Sequence, residues 1–379
     1  MKKKKSNKPL FILLSFLLIF GIFIYGVTRP SQQSIAIKEI EVSVNKDDIK
    51  NIFYKYKTEL TGTNDKGEAV IDEEFLYAIR KKLHSFNLSN KETKECLTWL
   101  PASSTSLNLI VVPDLSKRII DEVNNPDQIK SDVDLLKHIW ATFENNTKLK
   151  INSKDRLIID VTDEAQANGQ FRTLANNLIF DLSEHKGQSN RLYFDKIGGQ
   201  FEENINQLYG LAKKQPIGAD YWYYFNRSLS KHIQRTTLFD NYRNVLIILT
   251  DGYLEAQNKT KTGIAFYTGN YPSRFQTYNN IKRGLPIEQA LNGNIDRISD
   301  CSQHFPELEV LVLEIKERKP GSKEEPSDPG TPRDYDILEY LWKDWFKTLE
   351  IKNTNDNFFI ARNDATQLTK KAITKFLMK

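Results

Sequence analysis

Two short polar segments, each directly after an apolar run, contain the side chains best suited to bind a hard cation. The first, LNLIVVPDLSKRI, places Asp114 and Ser116 after its run, and the second, NVLIILTDGYLE, places Thr250, Asp251 and Gly252 there. Carboxylate and hydroxyl oxygens are the ligands that Mg²⁺ prefers. The segments therefore predict a shared magnesium site, provided that the fold brings them together.

The apolar runs before these segments belong to a larger set that is typical of strands buried on both faces. Such strands require continuous Val, Ile and Leu runs rather than alternating ones. The runs cover residues 107–112, 156–161, 244–249, 308–315 and 358–361. Helix-compatible stretches separate and follow them, at residues 132–143, 165–180, 202–212, 223–233, 336–349 and 364–377. This alternation predicts an α/β fold with a doubly wound, mostly parallel sheet, whose ligands bind outside the carboxyl ends of the strands.

The D-x-S after the first run and the T-D-G after a later run resemble the von Willebrand factor A domain and its metal-ion-dependent adhesion site. The resemblance covers about residues 105–379 and includes the order of the elements, with a terminal strand and a closing helix. It implies a Rossmann-like fold that recognises a protein partner at the top of the sheet. In that family a cation bridges the domain to an acidic group on the ligand.

Two positions depart from the family pattern D-x-S-x-S and its loop threonine. Arg118 stands where the pattern has its second serine, and its guanidinium can pair with Asp114 or Asp251 in place of a cation. Ala219 takes the place of the threonine and cannot ligate, although the neighbouring Asp220 can compensate. The resemblance therefore implies a degenerate site in which Mg²⁺ would be held by Asp114, Ser116, Asp220 and Asp251.

The partner contacts are expected beside this site, from Arg118, Thr250, Tyr221 and Trp222. The two aromatic residues belong to the run YWYYF at residues 221–225. Aromatic side chains supply anchor area at interfaces. Packing of the helix start into the core is the alternative, because consecutive residues cannot all face the same way.

Other functions remain open beside partner binding. Asp114 and Asp251 can simply cap helices that follow the strands. A metal-dependent hydrolase or phosphatase can use Asp114, although aspartate-nucleophile phosphotransfer wants a second acid two residues later, where Ser116 stands. A structural scaffold of an envelope assembly is the third alternative. Because the chain has no phosphate-binding glycine loop, G-x-S-x-G or H-E-x-x-H motif, we expect no enzyme.

The amino terminus predicts a membrane anchor. Residues 10–27, LFILLSFLLIFGIFIYGV, carry no charge and are long enough to cross a bilayer. Five lysines precede this run and Arg29 follows it, which places the amino terminus in the cytoplasm. A cleavable signal sequence is the alternative, but the run is long and has no A-x-A-like exit. The rest of the chain is then extracytoplasmic, and its Lys-, Asn- and Ile-rich composition favours a bacterial cell envelope.

Charge and cysteine content exclude several classes of protein. The net charge of the 379 residues is +5, and the amino-terminal lysines account for all of it, so the remainder is neutral. A nucleic-acid-binding protein would need a net basic face. Cys96 and Cys301 form no CxxC pair, which excludes a zinc cluster and a disulfide-dense scaffold, while one long-range disulfide remains open.

Three parts of the chain follow from these patterns. Residues 1–30 are the cytoplasmic lysine run and the anchor, residues 31–104 a small membrane-proximal module, and residues 105–379 the domain with the predicted sheet. The module is expected to be mostly helical, with a β-like run at residues 35–44 and helices at residues 47–60, 72–86 and 89–100. Ser89 and Glu92 have the spacing of a capping box.

Overall fold

The computed structural model divides the chain into two units. The described residues are 30–378, except for 64–66, 68, 102–104, 124, 149, 151–153, 163–168, 184–187, 238–239, 255–284, 291–297, 299, 317–333, 355–357 and 363–365. The smaller unit comprises residues 1–103 and 237–239, and the larger unit comprises residues 104–236 and 240–379. The predicted anchor lies outside the described residues. Within those residues, no helix combines the length and the apolar character that crossing a bilayer requires.

The described residues of the smaller unit form four helices and one hairpin. The helices are α1 (Gln32–Val42), α2 (Lys46–Tyr56), α3 (Glu73–Ser85) and α4 (Asn90–Leu97), and the antiparallel hairpin is β1 (Thr61–Thr63) with β2 (Ala69–Ile71). Ser89 and Glu92 form the predicted capping box at the start of α4.

The β-like run at residues 35–44 was predicted wrongly, because most of it lies in helix α1. Ala36 and Ile40 are four residues apart and are both buried, as expected for the inner face of a helix. Val42 and Val44, which suggested alternation, are largely exposed. The Ser31 hydroxyl starts the helix by accepting the Ser34 N–H.

The larger unit contains a six-stranded sheet in the order β5-β4-β3-β6-β7-β8. Five strands are parallel and β5 is antiparallel to β4, which confirms the predicted mostly parallel α/β sheet. The strands are β3 (Thr105–Pro113), β4 (Arg156–Ile159), β5 (Ile179–Asp181), β6 (Asn241–Leu249), β7 (Leu308–Ile315) and β8 (Phe359–Ala361). Each predicted run corresponds to one parallel strand. β5 was not predicted, because residues 165–180 were assigned to a helix.

Helices cover both faces of this sheet. On one face lie α5 (Gln128–Lys148), α7 (Gln188–Lys214) and α9 (Thr366–Leu377), and on the other lies α8 (Asp334–Thr348) with the helical turns Tyr221–Tyr223, Tyr224–Ser228 and Leu229–Lys231. The short helices α6 (Gln170–Asn176) and Ile287–Ala290 and the 3₁₀ turn Lys117–Ile120 complete the described elements. Leu109 and Val111 of β3 enter the first core, while Ile110 and Val112 enter the second. Burial on both faces explains why the strands are continuously apolar.

The chain order creates a switch point between β3 and β6. From β3 the chain builds the sheet outward through β4 and β5, and then returns to build the other side from β6. Pro113 is in register with Leu249, so the two parallel strands end at the same level. In doubly wound sheets the crevice at such a switch point is the usual ligand site.

Helix α7 offers a test of its packing against α5. Gly210 is exposed, and a Cβ added there would meet no atom within 4 Å, whereas one added at Gly198 would lie 3.4 Å from Trp140. Replacing a helix-interior glycine by alanine in open space stabilises a protein by about 0.5–1 kcal/mol. We expect this gain from Gly210→Ala and at least as large a gain from Gly198→Ala in urea denaturation, because the added methyl at Gly198 would contact the Trp140 ring at an ordinary van der Waals distance. A loss of stability in Gly198→Ala would contradict this packing of α7 against α5.

Candidate functional site

The two predicted polar segments meet at the switch point. The Asp114 N–H donates to the Leu249 carbonyl over 2.8 Å, and the Thr250 hydroxyl donates to Asp114 Oδ2 over 3.1 Å. Both side chains are buried, with 3% and 0% of their surface exposed. The carboxyl ends of β3 and β6 therefore form one polar cluster.

Asp114 and Ser116 also shape the turn that follows β3. Asp114 Oδ1 accepts the Ser116 N–H over 2.9 Å, and Ser116 Oγ accepts the Arg118 N–H over 3.4 Å. Ser116 thereby caps the short 3₁₀ turn Lys117–Ile120. The capping role that the sequence left open is thus present at the first segment. Asp114 uses its Oδ1 for it and Ser116 uses its Oγ.

The second segment turns sharply after β6. Thr250 Oγ accepts the Gly252 N–H over 3.2 Å, and Asp251 Oδ1 accepts the Tyr253 N–H over 3.2 Å. Gly252 has φ +93°, and a Cβ there would lie 3.1 Å from the Ile315 side chain. Trp342 Nε1 of α8 donates to the Gly252 carbonyl over 2.9 Å. The glycine of T-D-G is therefore required by the turn and by its close packing against β7.

Arg118 lies inside the cluster. Its Nε is 3.5 Å from Asp114 Oδ2, and its Nη2 donates to Asp132 Oδ2 over 2.7 Å and to the Leu249 carbonyl over 3.0 Å. Only 2% of the Arg118 side chain is exposed. Burial disfavours its charge, but the carboxylates of Asp132 and Asp114 raise the pKa of Arg118 above its ordinary value. The sequence anticipated the pairing with Asp114 but not the stronger contact with Asp132.

Asp132 extends the cluster into helix α5. Its carboxylate also accepts hydrogen bonds from Tyr209 Oη over 2.9 Å and from Gln128 Nε2 over 2.7 Å. Complete burial raises the pKa of Asp132 to about 6, although the Arg118 charge acts in the opposite direction. The 2.7 Å contact between Asp132 Oδ2 and Arg118 Nη2 is that of an ion pair, in which the carboxylate neutralises the guanidinium.

Gln128 connects this cluster to the end of β7. Its Nε2 also donates to Glu314 Oε2 over 3.0 Å, and Arg362 Nη1 donates to Gln128 Oε1 over 2.6 Å. Glu314 is buried and has φ +72°, a conformation that non-glycine residues rarely adopt. The polar side chains therefore form one connected network from β3 to β7.

Three of the four residues expected to contact a partner are buried. Arg118 and Thr250 belong to the cluster, and Tyr221 is 1% exposed, with its hydroxyl 3.5 Å from the Leu249 carbonyl. Burial, with the nearby charge of Asp114, raises the pKa of Tyr221 well above its ordinary value. In this conformation the three side chains have little exposed surface, and their contact with a partner stays a prediction. Trp222 is half-buried and reaches the surface.

Asp220 lies on a loop that runs beside the Asp114 turn. The Ile217 N–H donates to the Leu115 carbonyl over 3.0 Å, which fixes the start of this loop. Asp220 Oδ1 accepts the Tyr223 N–H over 2.9 Å and caps the helical turns that follow. Ala219 packs against the second core and offers no ligating side-chain atom. Asp220 is half-buried and reaches the surface of the protein.

Asp160, at the end of β4, is a site residue that the sequence did not single out. Its Oδ2 lies 2.9 Å from His232 Nε2 and accepts the Tyr224 hydroxyl over 3.0 Å, and Arg172 Nη1 is 3.7 Å from its Oδ1. Burial disfavours its ionised form, but His232 and the other hydrogen bonds lower the pKa of Asp160 below its ordinary value. The rule that ligands bind outside the carboxyl ends of the strands also applies to Asp160. It was missed from the sequence because residue 160 was counted within the apolar run at residues 156–161.

The residues present fit a divalent cation poorly. Among the described residues, no group of three or more His, Cys, Asp or Glu side chains is arranged to hold a metal ion. Because Mg²⁺ binds oxygen at about 2.1 Å, an ion on Asp114 Oδ2 would lie within roughly 5.6 Å of Arg118 Nε, which is 3.5 Å from that oxygen. At an effective dielectric constant of about 20, their repulsion is about 6 kcal/mol, or roughly four powers of ten in Kd.

A cavity of about 920 Å³ opens beside the 3₁₀ turn, between the first half of α5 and the last half of α7. Gln128 and Tyr209, which both hydrogen-bond to Asp132, contribute to its lining. Apolar side chains and lysines complete much of the wall, including Ile119, Val133, Lys130 and Lys213. The cavity therefore lies on the α5–α7 side of the buried cluster and shares Gln128 and Tyr209 with it.

No protein-family model matches this chain, and a comparison with curated proteins gives no significant match.

The buried guanidinium should be essential for stability. Arg118→Met leaves Asp132 and Asp114 without their positive partner in the core, which typically costs about 3–5 kcal/mol. Lys117→Met, at the exposed neighbouring position of the same turn, should change the free energy of unfolding by no more than about 0.5 kcal/mol. Urea denaturation of both variants measures this. A cost for Arg118→Met similar to that of the control would show that the buried pair is not formed.

Asp160 should contribute a pH-dependent part of the stability. Because its folded-state pKa lies below the unfolded value of about 3.9, the unfolded chain binds more protons in acid. Its contribution is present above about pH 4 and is lost as the pH falls through the folded-state pKa. We expect Asp160→Asn to cost about 1–3 kcal/mol at pH 7 and distinctly less near pH 3. Urea denaturation across this range, with exposed Asp195→Asn as control, would refute the prediction if the difference from wild type stayed constant.

Proposed function

We propose that the larger unit is a von Willebrand factor A-like domain that binds a protein partner at the carboxyl ends of its central strands and catalyses no reaction. The observation that carries the proposal is the convergence of Asp114, Ser116 and Thr250 at the β3–β6 switch point. In doubly wound sheets this crevice is where ligands bind. The strand order, with the switch between β3 and β6, supports the same assignment.

Partner contacts in this proposal come from the accessible rim around the buried cluster. Ser116, Asp220 and Trp222 are partly exposed there and offer a hydroxyl, a carboxylate and an aromatic surface. Aromatic residues are frequent anchors of protein interfaces. The 3₁₀ turn that begins directly after Ser116 leads to the cavity, which adds a concave surface on the side of α5 and α7. The buried residues Arg118, Thr250 and Tyr221 fix the positions of these exposed residues.

No specific observation favours the alternative of a hydrolase. Asp114 is 3% exposed, its Oδ1 accepts the Ser116 N–H, and its Oδ2 accepts the Thr250 hydroxyl beside Arg118. A nucleophilic carboxylate needs access to its substrate. A structural scaffold without a binding site would capture no partner through the partly exposed rim residues.

We also propose that residues 10–27 anchor the protein in a bacterial envelope membrane, with the amino terminus in the cytoplasm and the bulk of the chain outside it. The uncharged run and the lysines before it support this orientation. Residues 31–104 would then lie next to the membrane.

The chain without residues 1–30, immobilised and incubated with solubilised membranes, should capture a specific partner. Trp222→Ala and Ser116→Ala should weaken that capture, and loss of an aromatic anchor typically costs at least about 2 kcal/mol, or roughly thirtyfold in Kd. Lys347→Ala is the control. Lys347 is exposed at the end of α8, and this end of the helix contacts the segment before the start of β7, whereas the proposed site lies at the carboxyl ends of the strands. Capture that depends on Lys347 but not on Trp222 or Ser116 would contradict the proposed site. Turnover of a phosphate or acyl ester that Asp114→Asn abolishes would favour the hydrolase.

A further inference from the structure

We infer that Arg118 is a built-in cation at the strand-end site and excludes a divalent metal from it. This role of Arg118 belongs to the ionic chemistry of the site and does not require that a partner binds there. It departs from the magnesium site that the carboxylates and hydroxyls predict from the sequence.

The contacts of Arg118 are those expected of a permanent positive charge that neutralises the site. The guanidinium lies 3.5 Å from Asp114 Oδ2 and 2.7 Å from Asp132 Oδ2, and it donates to the last carbonyl of β6 over 3.0 Å. It approaches the same Asp114 oxygen that a metal at this position would require. Two positive groups cannot share that oxygen at low cost in a buried site.

The hydroxyl groups of the site are also directed away from metal binding. Thr250 donates its proton to Asp114 Oδ2 and accepts the Gly252 N–H, while Ser116 accepts the Arg118 N–H. A metal would have to replace at least the Thr250 to Asp114 hydrogen bond. Within the described residues, Arg118 Nε and Nη1 have no hydrogen-bond partner, so the guanidinium is held by its charge as well as by its two donated bonds.

Asp132 explains why arginine is stable at this position. Asp132 lies on α5 with no exposed surface and is oriented by Gln128 and Tyr209. A buried carboxylate requires a positive partner, and in this chain Arg118 supplies it. Removal of the guanidinium alone would therefore leave Asp132 unpaired, so that any test of metal exclusion must neutralise Asp132 as well.

The test compares Mg²⁺ and Mn²⁺ binding to the wild type and to a variant that combines Arg118→Ser with Asp132→Asn. The variant removes the charges of the buried Arg118–Asp132 pair, keeps the Asp114 carboxylate that an ion would bind, and adds a hydroxyl beside Asp114 and Ser116. Excess Mg²⁺ should change the Tm of the wild type by less than about 1 °C relative to chelator, and should raise the Tm of the double variant by about 5 °C. Lys117→Ser, which removes the neighbouring exposed charge, should behave as the wild type.

The inference is overturned if the wild type is itself stabilised by Mg²⁺ and Asp251→Asn abolishes that effect. It is also overturned if the folded double variant gains no response, or if Lys117→Ser gains as much. Circular dichroism verifies the fold of each variant. Should the double variant not fold, electron paramagnetic resonance of Mn²⁺ with the wild type decides the question, because a bound-ion signal that Asp251→Asn removes contradicts exclusion. Both the Tm shift and the Mn²⁺ signal report metal binding. Failure of the protein to capture a partner therefore does not change the outcome of this test.

Discussion

The ion pair between Arg118 and Asp132 is the contact on which the polar end of the sheet depends. It joins the turn after β3 to helix α5, and the same guanidinium approaches Asp114 and the last carbonyl of β6. Burial makes this arrangement sensitive, because each charge is tolerated only while its partner is present. The strand ends, the turn and the helix are therefore held as one structure rather than as separate loops.

Much of the fold and the position of the site follow from local sequence patterns. Continuous apolar runs with helical stretches between them are sufficient to predict a mostly parallel sheet, and the strand-end rule then locates Asp114 and Thr250. Their contact across 136 residues follows from the register of β3 and β6, which places Pro113 opposite Leu249. The DxS and TDG segments thus predict a shared location well.

Other features depend on tertiary contacts that local patterns do not contain. Asp132 is one polar residue among several on α5, and only the direction of the 3₁₀ turn brings Arg118 to it. Asp160 lies within an apolar run, and its partner His232 is 72 positions away in the sequence. Strand β5 has only three residues, and the alternating apolar residues of α1 imitate a strand. In these cases the partner of a side chain, or the choice between helix and strand, depends on tertiary packing, which intrinsic propensities do not determine.

The two edge strands of the sheet determine how other chains can associate with it. Both outer strands, β5 and β8, are only three residues long, and β5 runs against its neighbour. Short outer strands offer few unpaired backbone groups to an incoming extended peptide, which protects the sheet from edge-to-edge pairing and aggregation. Strand addition is thereby disfavoured as a mode of recognition, and association through side chains remains the accessible route.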